Sequence, residues 1–499
     1  MTTKSYFALI ASCLGLGIIH AEPFSADWNS LRKYERPQWF QDAKFGIYTH
    51  WGPYSATMAP DHSDWYGRKV YGENGEMTKF HLETYGPLSE FGYKDIIPKF
   101  TAENFDADEW VKLFIEAGAR FAGPVGEHAD GFPMWASKQT KWNAANMGPK
   151  RDIVAEMEKA IRKTDLKFMV SMHHQWKYGW FSSEQPEPDS ADPHYQDLYG
   201  PSVPMTGFST KQANGKLDPM RVDPMPDQAF ADDWLARVKE VVTGYQPDLL
   251  WFDNRMQILP EQTRKEMAAF YYNSSHENQR EAVLSYKRPD LIVGTGTVDL
   301  ERSRMPDIYP DPWLTDTSIA KNTWSYVTAP EYYSADRLTD DLIDIVSKNG
   351  CLLLNIAPAP DGTIPDEQRE ILRSMGAWLK INGEAIYSSR PWFVYGEGDT
   401  KAGGDGHLGD LKFNGFGPED IRFTTSGQTL YAIALDRHED NAPVTIEELS
   451  ETAYNDEIKG ITLLGYSGDI TWTRDKQSLS ITIPEDFENS HAYVFKIHR

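Results

Sequence analysis

Short apolar runs alternate with amphipathic stretches along the first three quarters of the chain. The apolar runs have the length of buried strands and predict strands at 45–50, 121–128, 166–173, 248–254, 282–287 and 351–356. Between them, apolar residues recur every three or four positions, which predicts helices at 105–120, 152–164, 228–243, 336–348 and 365–380. A long irregular segment rich in Pro, Asp and Tyr, from about 182 to 227, interrupts this order.

Repeated strand-then-helix order predicts a parallel sheet. Over ~350 residues this order favours a closed (β/α)8-type barrel rather than an open sheet. No Gly-x-Gly-x-x-Gly element follows the first strand, which disfavours the dinucleotide-binding alternative. We therefore expect an α/β fold with a barrel over residues 22–393.

The pattern changes near residue 394. Gly- and Asp-rich turns precede short runs that alternate apolar and polar residues, at 429–435, 469–473, 479–483 and 491–497. Closely spaced strands without a helical pattern predict an all-β sandwich, which we place at 394–499. Because catalytic residue types do not gather in this segment, we expect it to have an ancillary or stabilising role.

The first 21 residues resemble a cleavable secretory signal. Lys4 precedes an apolar run over 6–19, and Ala21 supplies a small residue at the expected cleavage site. Cys13 leaves open the alternative of lipoprotein acylation. We expect a secreted or periplasmic protein, in which Cys351 is the only cysteine left after cleavage, so that an internal disulfide and two-cysteine redox or zinc motifs are excluded.

Composition narrows the range of ligands. The formal net charge of −24 argues against a protein that binds nucleic acid, which requires a basic face. No segment after the signal approaches the ~18 consecutive apolar residues of a membrane span, so we expect no membrane association. The 16 Trp and 25 Tyr suit stacking on sugar rings, although they also fill ordinary cores. The oligomeric state stays open.

Polar side chains follow most of the predicted strands. In a parallel barrel the C-terminal ends of the strands form the catalytic face, so these residues are expected to converge on one site. They are His50, His128, His173, His174, Asp253 and Lys287. Each residue alone has a structural alternative: a strand-ending Asp can cap the next helix, and a lone His is more often a hydrogen-bonded structural residue.

Two chemistries fit such a cluster. Histidines and Asp can bind zinc, but barrel metallohydrolases usually take a His pair from the first strand, and this strand offers only His50. Glycoside cleavage requires two carboxylates on either side of one bond. Asp253 and Glu301 are the best-placed pair, although Glu301 could equally be a surface acid paired with Arg302 or Arg304.

Several segments resemble the α-L-fucosidases of glycoside hydrolase family 29, over roughly 31–392. Lys44-Phe45-Gly46-Ile47-Tyr48-Thr49-His50-Trp51-Gly52 looks like the family's opening strand, and Asp64-Trp65-Tyr66 like the element that follows it. The block from 342 to 392 is close to the usual sequence pattern of the family, with Leu353-Leu354-Asn355-Ile356 and Asn382-Gly383-Glu384-Ala385. This last block identifies the family without carrying catalysis.

The resemblance implies a retaining hydrolase. Together with the predicted signal, it leads us to expect a secreted, exo-acting α-L-fucosidase that acts on oligosaccharides or polysaccharide fragments. Asp253, in its Trp-Phe-Asp context, matches the family nucleophile, and Glu301, which precedes the Pro312–Thr317 run, matches the acid/base. His50, Trp65 and His128 match residues that hold the fucose hydroxyls. His173 or His174, and Lys287, fall near further sugar contacts. The resemblance implies neither a metal nor an organic cofactor.

One departure from the family pattern concerns Ala129. The family commonly has two consecutive His before Asp-Gly-Phe, whereas this chain has His128-Ala129. The loss of the imidazole could weaken binding of plain fucose or make room for a sulfate or acetyl substituent. Alternatively, a neighbour such as His174 could fill the space that it leaves. A non-hydrolytic fucose-binding protein on the same scaffold remains the alternative from another class, and it requires Glu301 to point away from Asp253.

Overall fold

The computed structural model describes residues 23–72, 75–183, 187–203, 210–211, 217–218, 224–403, 408–437, 442–487 and 491–499. The predicted signal at 1–21, with Cys13, lies outside these residues, as does part of the irregular segment at 182–227. No helix among the described residues combines the length and apolarity that crossing a bilayer requires.

Eight parallel strands close into a barrel in the order β1-β8-β7-β6-β5-β4-β3-β2, so each strand pairs with its neighbours in sequence. This confirms the predicted (β/α)8 architecture. The strands are β1 (Phe45–Thr49), β2 (Phe121–Glu127), β3 (Lys167–Met172), β4 (Leu249–Phe252), β5 (Val283–Lys287), β6 (Thr297–Asp299), β7 (Trp313–Ser318) and β8 (Gly350–Ile356). The pattern of apolar runs had not predicted β6 and β7, which are short or polar.

Helices surround the barrel and fill its connections. They are α1 (Trp28–Leu31), α2 (Gln38–Ala43), α3 (Tyr66–Gly72), α4 (Glu76–Tyr85), α5 (Tyr93–Ile96), α6 (Ala107–Glu116), α7 (Ile153–Ile161), α8 (Gln196–Tyr199), α9 (Gln228–Tyr245), α10 (Glu261–Glu277), α11 (Ala335–Ser347) and α12 (Asp366–Asn382). Side-chain caps begin several of them. Asp106 accepts from the backbone of Asp108 and Glu109 at α6, which satisfies amides that the first turn leaves unpaired.

Apolar side chains close the interior of the barrel. Phe121, Leu249, Trp251 and Leu353 belong to one buried cluster that fills the space enclosed by the strands. Gly46 makes room for it, because a Cβ there would lie 2.2 Å from the Phe121 ring. Because the interior is packed, a ligand-binding site can form only at the ends of the strands.

The C-terminal part contains two antiparallel sheets that share one apolar core, which confirms the predicted sandwich. The strands are β9 (Arg390–Glu397), β10 (Ile421–Ser426), β11 (Thr429–Ala434), β12 (Val444–Ile446), β13 (Gly460–Leu463), β14 (Trp472–Arg474), β15 (Leu479–Ile481) and β16 (Tyr493–His498). Five of them form a sheet in the order β9-β10-β11-β16-β13, and three form a sheet in the order β12-β15-β14. Because β9 pairs within the five-stranded sheet from Arg390 onward, we propose a domain boundary just before this strand.

A buried ion network joins the two domains around Asp344 of α11. One carboxylate oxygen lies 2.6 Å from Arg422 Nε of β10, and the other lies 2.8 Å from Lys348 Nζ and 3.3 Å from Arg304 Nη1. Burial opposes ionisation of Asp344, but Arg422, Lys348 and Arg304 hold its pKa below the usual range. The carboxylate is therefore the shared counter-ion of three buried cations.

We predict that Asp344→Ala lowers the free energy of unfolding by about 3–5 kcal/mol, because it removes the carboxylate that pairs with the buried cations Arg422 and Lys348. Urea unfolding followed by tryptophan fluorescence measures the change. Glu370→Ala, at an exposed carboxylate of α12, is the control and should change the value by less than about 0.5 kcal/mol. Equal losses in the two variants would show that Asp344 does not hold the domains together.

Candidate active site

A cavity of about 360 Å³ opens at the C-terminal ends of the barrel strands. Strand ends of β1 to β5 supply most of the polar lining, and the loop after β1, the loop after β6 and strand β7 supply the rest. The lining residues are His50, Asp64, Trp65, His128, His173, Trp176, Trp251, Asp253, Asn254, Lys287, Glu301, Asp316, Trp324 and Leu408. The structure thus brings together all but one of the site residues predicted from the sequence.

Lys287 lies at the centre of the polar groups. Its Nζ is 3.1 Å from Asp253 Oδ1 and 2.8 Å from Glu301 Oε2. It also lies 3.4 Å from Asp316 and 3.9 Å from Asp299. Burial disfavours the charged form of Lys287, but the neighbouring acidic side chains outweigh this effect and raise its pKa well above the usual value. One cation therefore holds four acidic side chains around a single point.

The four carboxyl groups differ in their surroundings. Asp253 and Glu301 are 18% and 19% exposed and face the cavity, whereas Asp299 is fully buried behind them. Burial, and after it the charge of Asp316, raises the pKa of Asp299 well above its usual value. Tyr48 donates a hydrogen bond of 3.0 Å to Asp316 Oδ2. The two groups open to a ligand are thus Asp253 and Glu301.

Three histidines form another part of the cavity wall. The rings of His50, His128 and His173 lie 4.8–5.4 Å apart, and burial lowers the pKa of each, to about 4 for His128. His50 Nδ1 lies 2.8 Å from Asn355 Oδ1, which can only accept, so Nδ1 carries the proton and Nε2 is an acceptor. The wall presents neutral imidazoles. They suit sugar hydroxyls, and their clustered nitrogens would also suit a transition metal.

Tryptophans line the remaining sides. Trp65 lies in a short turn (Ser63–Trp65), where its ring packs 5.5 Å from that of Trp176. The ring of Trp324 lies 5.3 Å from that of His50. The guanidinium of Arg302 lies over the indole ring of Trp324, 4.4 Å from its centre. The cavity therefore combines apolar aromatic surface with polar groups, as small-ligand sites commonly do.

His174 does not reach this cavity. It follows His173 directly and turns the other way, with Nδ1 2.5 Å from Glu127 and Nε2 3.2 Å from Asp233. There it borders a separate space of about 820 Å³, next to residues that flank 204–223. Ala129 is buried in the apolar core and is not among the lining residues. Neither His174 nor Ala129 therefore shapes the cavity directly.

Sequence patterns had not indicated several of these residues. Asn355 lies in the motif block that the sequence analysis treated as non-catalytic, yet it sets the proton position of His50. Trp324 and Leu408 come from loops without a recognisable motif, and only the tertiary fold brings them to the cavity. Asp316 had a signal, its place in the Pro312–Thr317 run, but the β7 strand that carries it was not predicted.

Comparison with known proteins agrees with this geometry. Residues 17–384 match the family described as alpha-L-fucosidase, and residues 414–498 match the alpha-L-fucosidase C-terminal domain. The chain is similar to the tissue alpha-L-fucosidase of Rattus norvegicus, with 28% identity over 96% of this chain and 92% of the relative. It is also similar to the plasma alpha-L-fucosidase of Pongo abelii, with 32% identity over 74% of each chain.

A solved structure shows the same fold. The Thermotoga maritima alpha-fucosidase in complex with fucose superposes with a TM-score of 0.72 at 27% identity. The match covers 95% of this chain and all of that one, so it includes both the barrel and the C-terminal sheets.

We predict that Lys287→Met destabilises the protein more at pH 7.5 than at pH 4.5. Lys287 opposes the effect of burial on Asp299, so without the ammonium the already raised folded-state pKa of Asp299 rises further above its unfolded value of ~4. The variant then binds more protons when folded, so its stability falls as pH rises through this raised value. In the native protein the pKa of Lys287 is raised, so its ammonium stays charged and contributes to the stability of the fold at both pH values.

Urea unfolding of both proteins at the two pH values measures this difference. The expected loss is about 3–5 kcal/mol at pH 7.5, the usual cost of leaving buried charges unpaired, and clearly less at pH 4.5. A loss that does not depend on pH would mean that Lys287 does not balance the carboxylates.

Proposed function

The chain belongs to the α-L-fucosidase family and is a glycoside hydrolase; from this premise we propose that it is a secreted, exo-acting enzyme that removes terminal α-L-fucose with retention of configuration. Asp253 is the nucleophile and Glu301 the acid/base. Secretion rests on the signal-like pattern of residues 1–21 alone.

The observation that carries the mechanism is the ammonium shared by Asp253 and Glu301. Asp253 Oδ1 and Glu301 Oε2 lie 3.1 Å and 2.8 Å from Lys287 Nζ, so the distance between these two oxygens cannot exceed the sum of the two values. This limit falls below the ~6.5 Å at which inverting pairs begin and is compatible with the ~5–5.5 Å of retaining pairs. It also disfavours a non-hydrolytic fucose-binding protein, which required Glu301 to point away from Asp253.

In the first step Asp253 attacks the anomeric carbon while Glu301 gives its proton to the departing glycosidic oxygen. A covalent fucosyl-enzyme results, and the leaving group departs as an alcohol. In the second step Glu301 takes a proton from water, whose oxygen attacks the same carbon and releases Asp253. The Lys287 ammonium, 3.1 Å from Asp253 and 2.8 Å from Glu301, offsets the negative charge of the nucleophile before the attack and of the acid/base after it has given up its proton.

The walls of the cavity support fucose as the bound sugar. The acceptor Nε2 of His50 and the neighbouring imidazoles can pair with hydroxyl groups, while tryptophan faces suit an apolar methyl group and ring C–H bonds. The small volume favours one terminal residue over an internal position of a chain.

Unmodified fucose fits this site better than sulfated fucose. A sulfate requires a cation, and Lys287, the one Lys or Arg among the described lining residues, is already surrounded by carboxylates. Ala129 lies in the apolar core rather than in the cavity wall, so its small size does not open space for a substituent.

We predict that Asp253→Ala lowers kcat at least about 10³-fold, because the covalent route is lost with the nucleophile. Release of nitrophenol from 4-nitrophenyl α-L-fucoside measures it. Asp366→Ala, at an exposed carboxylate that begins α12, is the control and should keep full activity. Thermal unfolding of both variants checks that they fold. Near-normal hydrolysis by folded Asp253→Ala would remove Asp253 from the mechanism.

Retention also predicts the first product. Proton NMR during hydrolysis should show α-L-fucose appearing before mutarotation forms the β-anomer, because two displacements restore the configuration. The β-anomer appearing first would mean direct attack by water and would contradict the proposed pair.

A further inference from the structure

A short segment of the C-terminal part lies against the barrel loop that carries Glu301. The backbone N–H of Leu408 donates to Glu301 O at 2.7 Å, and that of Asp410 donates to Arg302 O at 2.8 Å. On the barrel side, Arg302 N donates to Asp316 O at 2.8 Å. The backbone on either side of the Glu301 side chain is thus hydrogen-bonded both to the barrel and to the segment that follows β9.

The backbone at this contact has an uncommon conformation. Arg302 has φ 43° and Leu408 has φ 65°, both in the left-handed region that non-glycine residues seldom adopt. Such conformations persist where the surroundings hold them, and they cluster at functional sites. The two hydrogen bonds join the strained residues of one loop to the other, so each loop stabilises its partner.

Side chains reinforce the contact. Asp410 Oδ2 lies 2.7 Å from Arg304 Nη2 and 3.0 Å from Arg304 Nε. Arg304 is three residues beyond Glu301 and is itself held by Asp341 at 2.8 Å and Asp344 at 3.3 Å. The pair therefore fixes the segment 408–410 to the far end of the Glu301 loop through a charge-assisted, two-pronged contact.

Leu408 faces the cavity. Its side chain lines the same space as Asp253 and Glu301, yet it is 47% exposed, which is unusual for a leucine in the described part of the chain. Its backbone is hydrogen-bonded to that of Glu301, which places Leu408 beside the proposed acid/base. An exposed apolar side chain at this position can contact the leaving group, the part of the substrate to which fucose is attached.

We propose that Leu408 and Asp410 complete the leaving-group side of the active site from the C-terminal domain. Leu408 contacts the group to which fucose is attached and contributes to selection among substrates. Asp410 is a positioning residue, which acts through Arg304 and the backbone of 301–302 to aim Glu301 at the glycosidic oxygen. The second role rests on the proposed function of Glu301.

Leaving groups of different basicity test the role of Asp410. A sugar hydroxyl leaves only with a proton from the acid, whereas 2,4-dinitrophenolate leaves without one. In Asp410→Asn we expect kcat/KM to fall about tenfold or more on a fucosyl disaccharide, a part of the ~10²–10⁴-fold that a general acid contributes, and to change less than about threefold on 2,4-dinitrophenyl α-L-fucoside. Asp410→Glu should restore part of the loss.

The matched control is Asp248→Asn. Asp248 is also a buried carboxylate paired with arginines, Arg162 and Arg280, but it precedes β4 at the opposite end of the barrel from the cavity. We expect this variant to keep the native ratio of the two activities even if it is less stable. Equal losses on both substrates in Asp410→Asn, or no loss on either, would overturn the role of Asp410.

Glu301→Gln separates this inference from the proposed function. It should show the same leaving-group dependence as Asp410→Asn, but more strongly. If Glu301→Gln lacks that dependence, the acid/base assignment fails; if only Asp410→Asn lacks it, the positioning role fails and the assignment stands.

Leu408→Ala tests the contact independently, and it does not depend on how well Asp410 variants fold. We expect KM for the disaccharide to rise several-fold, while hydrolysis of α-L-fucosyl fluoride, whose leaving group is a single small atom, keeps its native kcat/KM. Leu82→Ala, at a leucine of α4 that is 51% exposed, is the control. A similar change on both substrates, or on neither, would place Leu408 outside the leaving-group contact.

Discussion

The active site depends on one buried cation. Lys287 ends β5 and places its ammonium within 4 Å of four carboxyl groups that arrive from β4, β6, β7 and the loop after β6. Without it, burial and mutual repulsion would oppose the placing of so many acids around one point. With it, two of them stay open to the cavity and close to each other. The chemistry of the site therefore rests on an ion that takes no part in bond making.

The remaining walls follow from the barrel and from its neighbour. Parallel strands end on one face, so His50, His128 and His173 converge although they are far apart in sequence. Burial keeps them neutral, which complements an uncharged sugar. The connection between β9 and β10 adds Leu408 and Asp410 beside Glu301, so the domain that looked ancillary in the sequence touches the site itself.

The sequence predicted the parts of the fold that have strong local patterns. Continuous apolar runs indicated β1 to β5 and β8, and periodic apolar residues indicated α6, α7, α9, α11 and α12. It missed β6, because Thr297–Asp299 is only three residues long, and β7, because Trp313–Ser318 is largely polar. Their burial comes from neighbouring strands, which a local pattern does not register.

The same distinction applies to the site. Residues at the ends of predicted strands were found in advance, because strand polarity alone brings them together. His174 shows the limit of this reasoning: one residue beyond His173 the chain turns, and its ring pairs with Glu127 and Asp233 instead. Trp324 and Leu408 reach the cavity from loops without a motif, and Asn355 lies in a family motif whose contact with His50, 305 residues away in sequence, is visible only in the fold.

The central claim is that Asp253 forms a covalent bond to the sugar. Mass spectrometry of peptides after the enzyme is mixed with 2-deoxy-2-fluoro-α-L-fucosyl fluoride tests it most directly. The 2-fluoro substituent slows both formation and hydrolysis of the intermediate, whereas the good leaving group speeds only its formation, so the intermediate accumulates. The account predicts one added fluorofucosyl group on the peptide that contains Asp253, lost again in Asp253→Ala. An adduct on another residue, or turnover without any adduct, would contradict it.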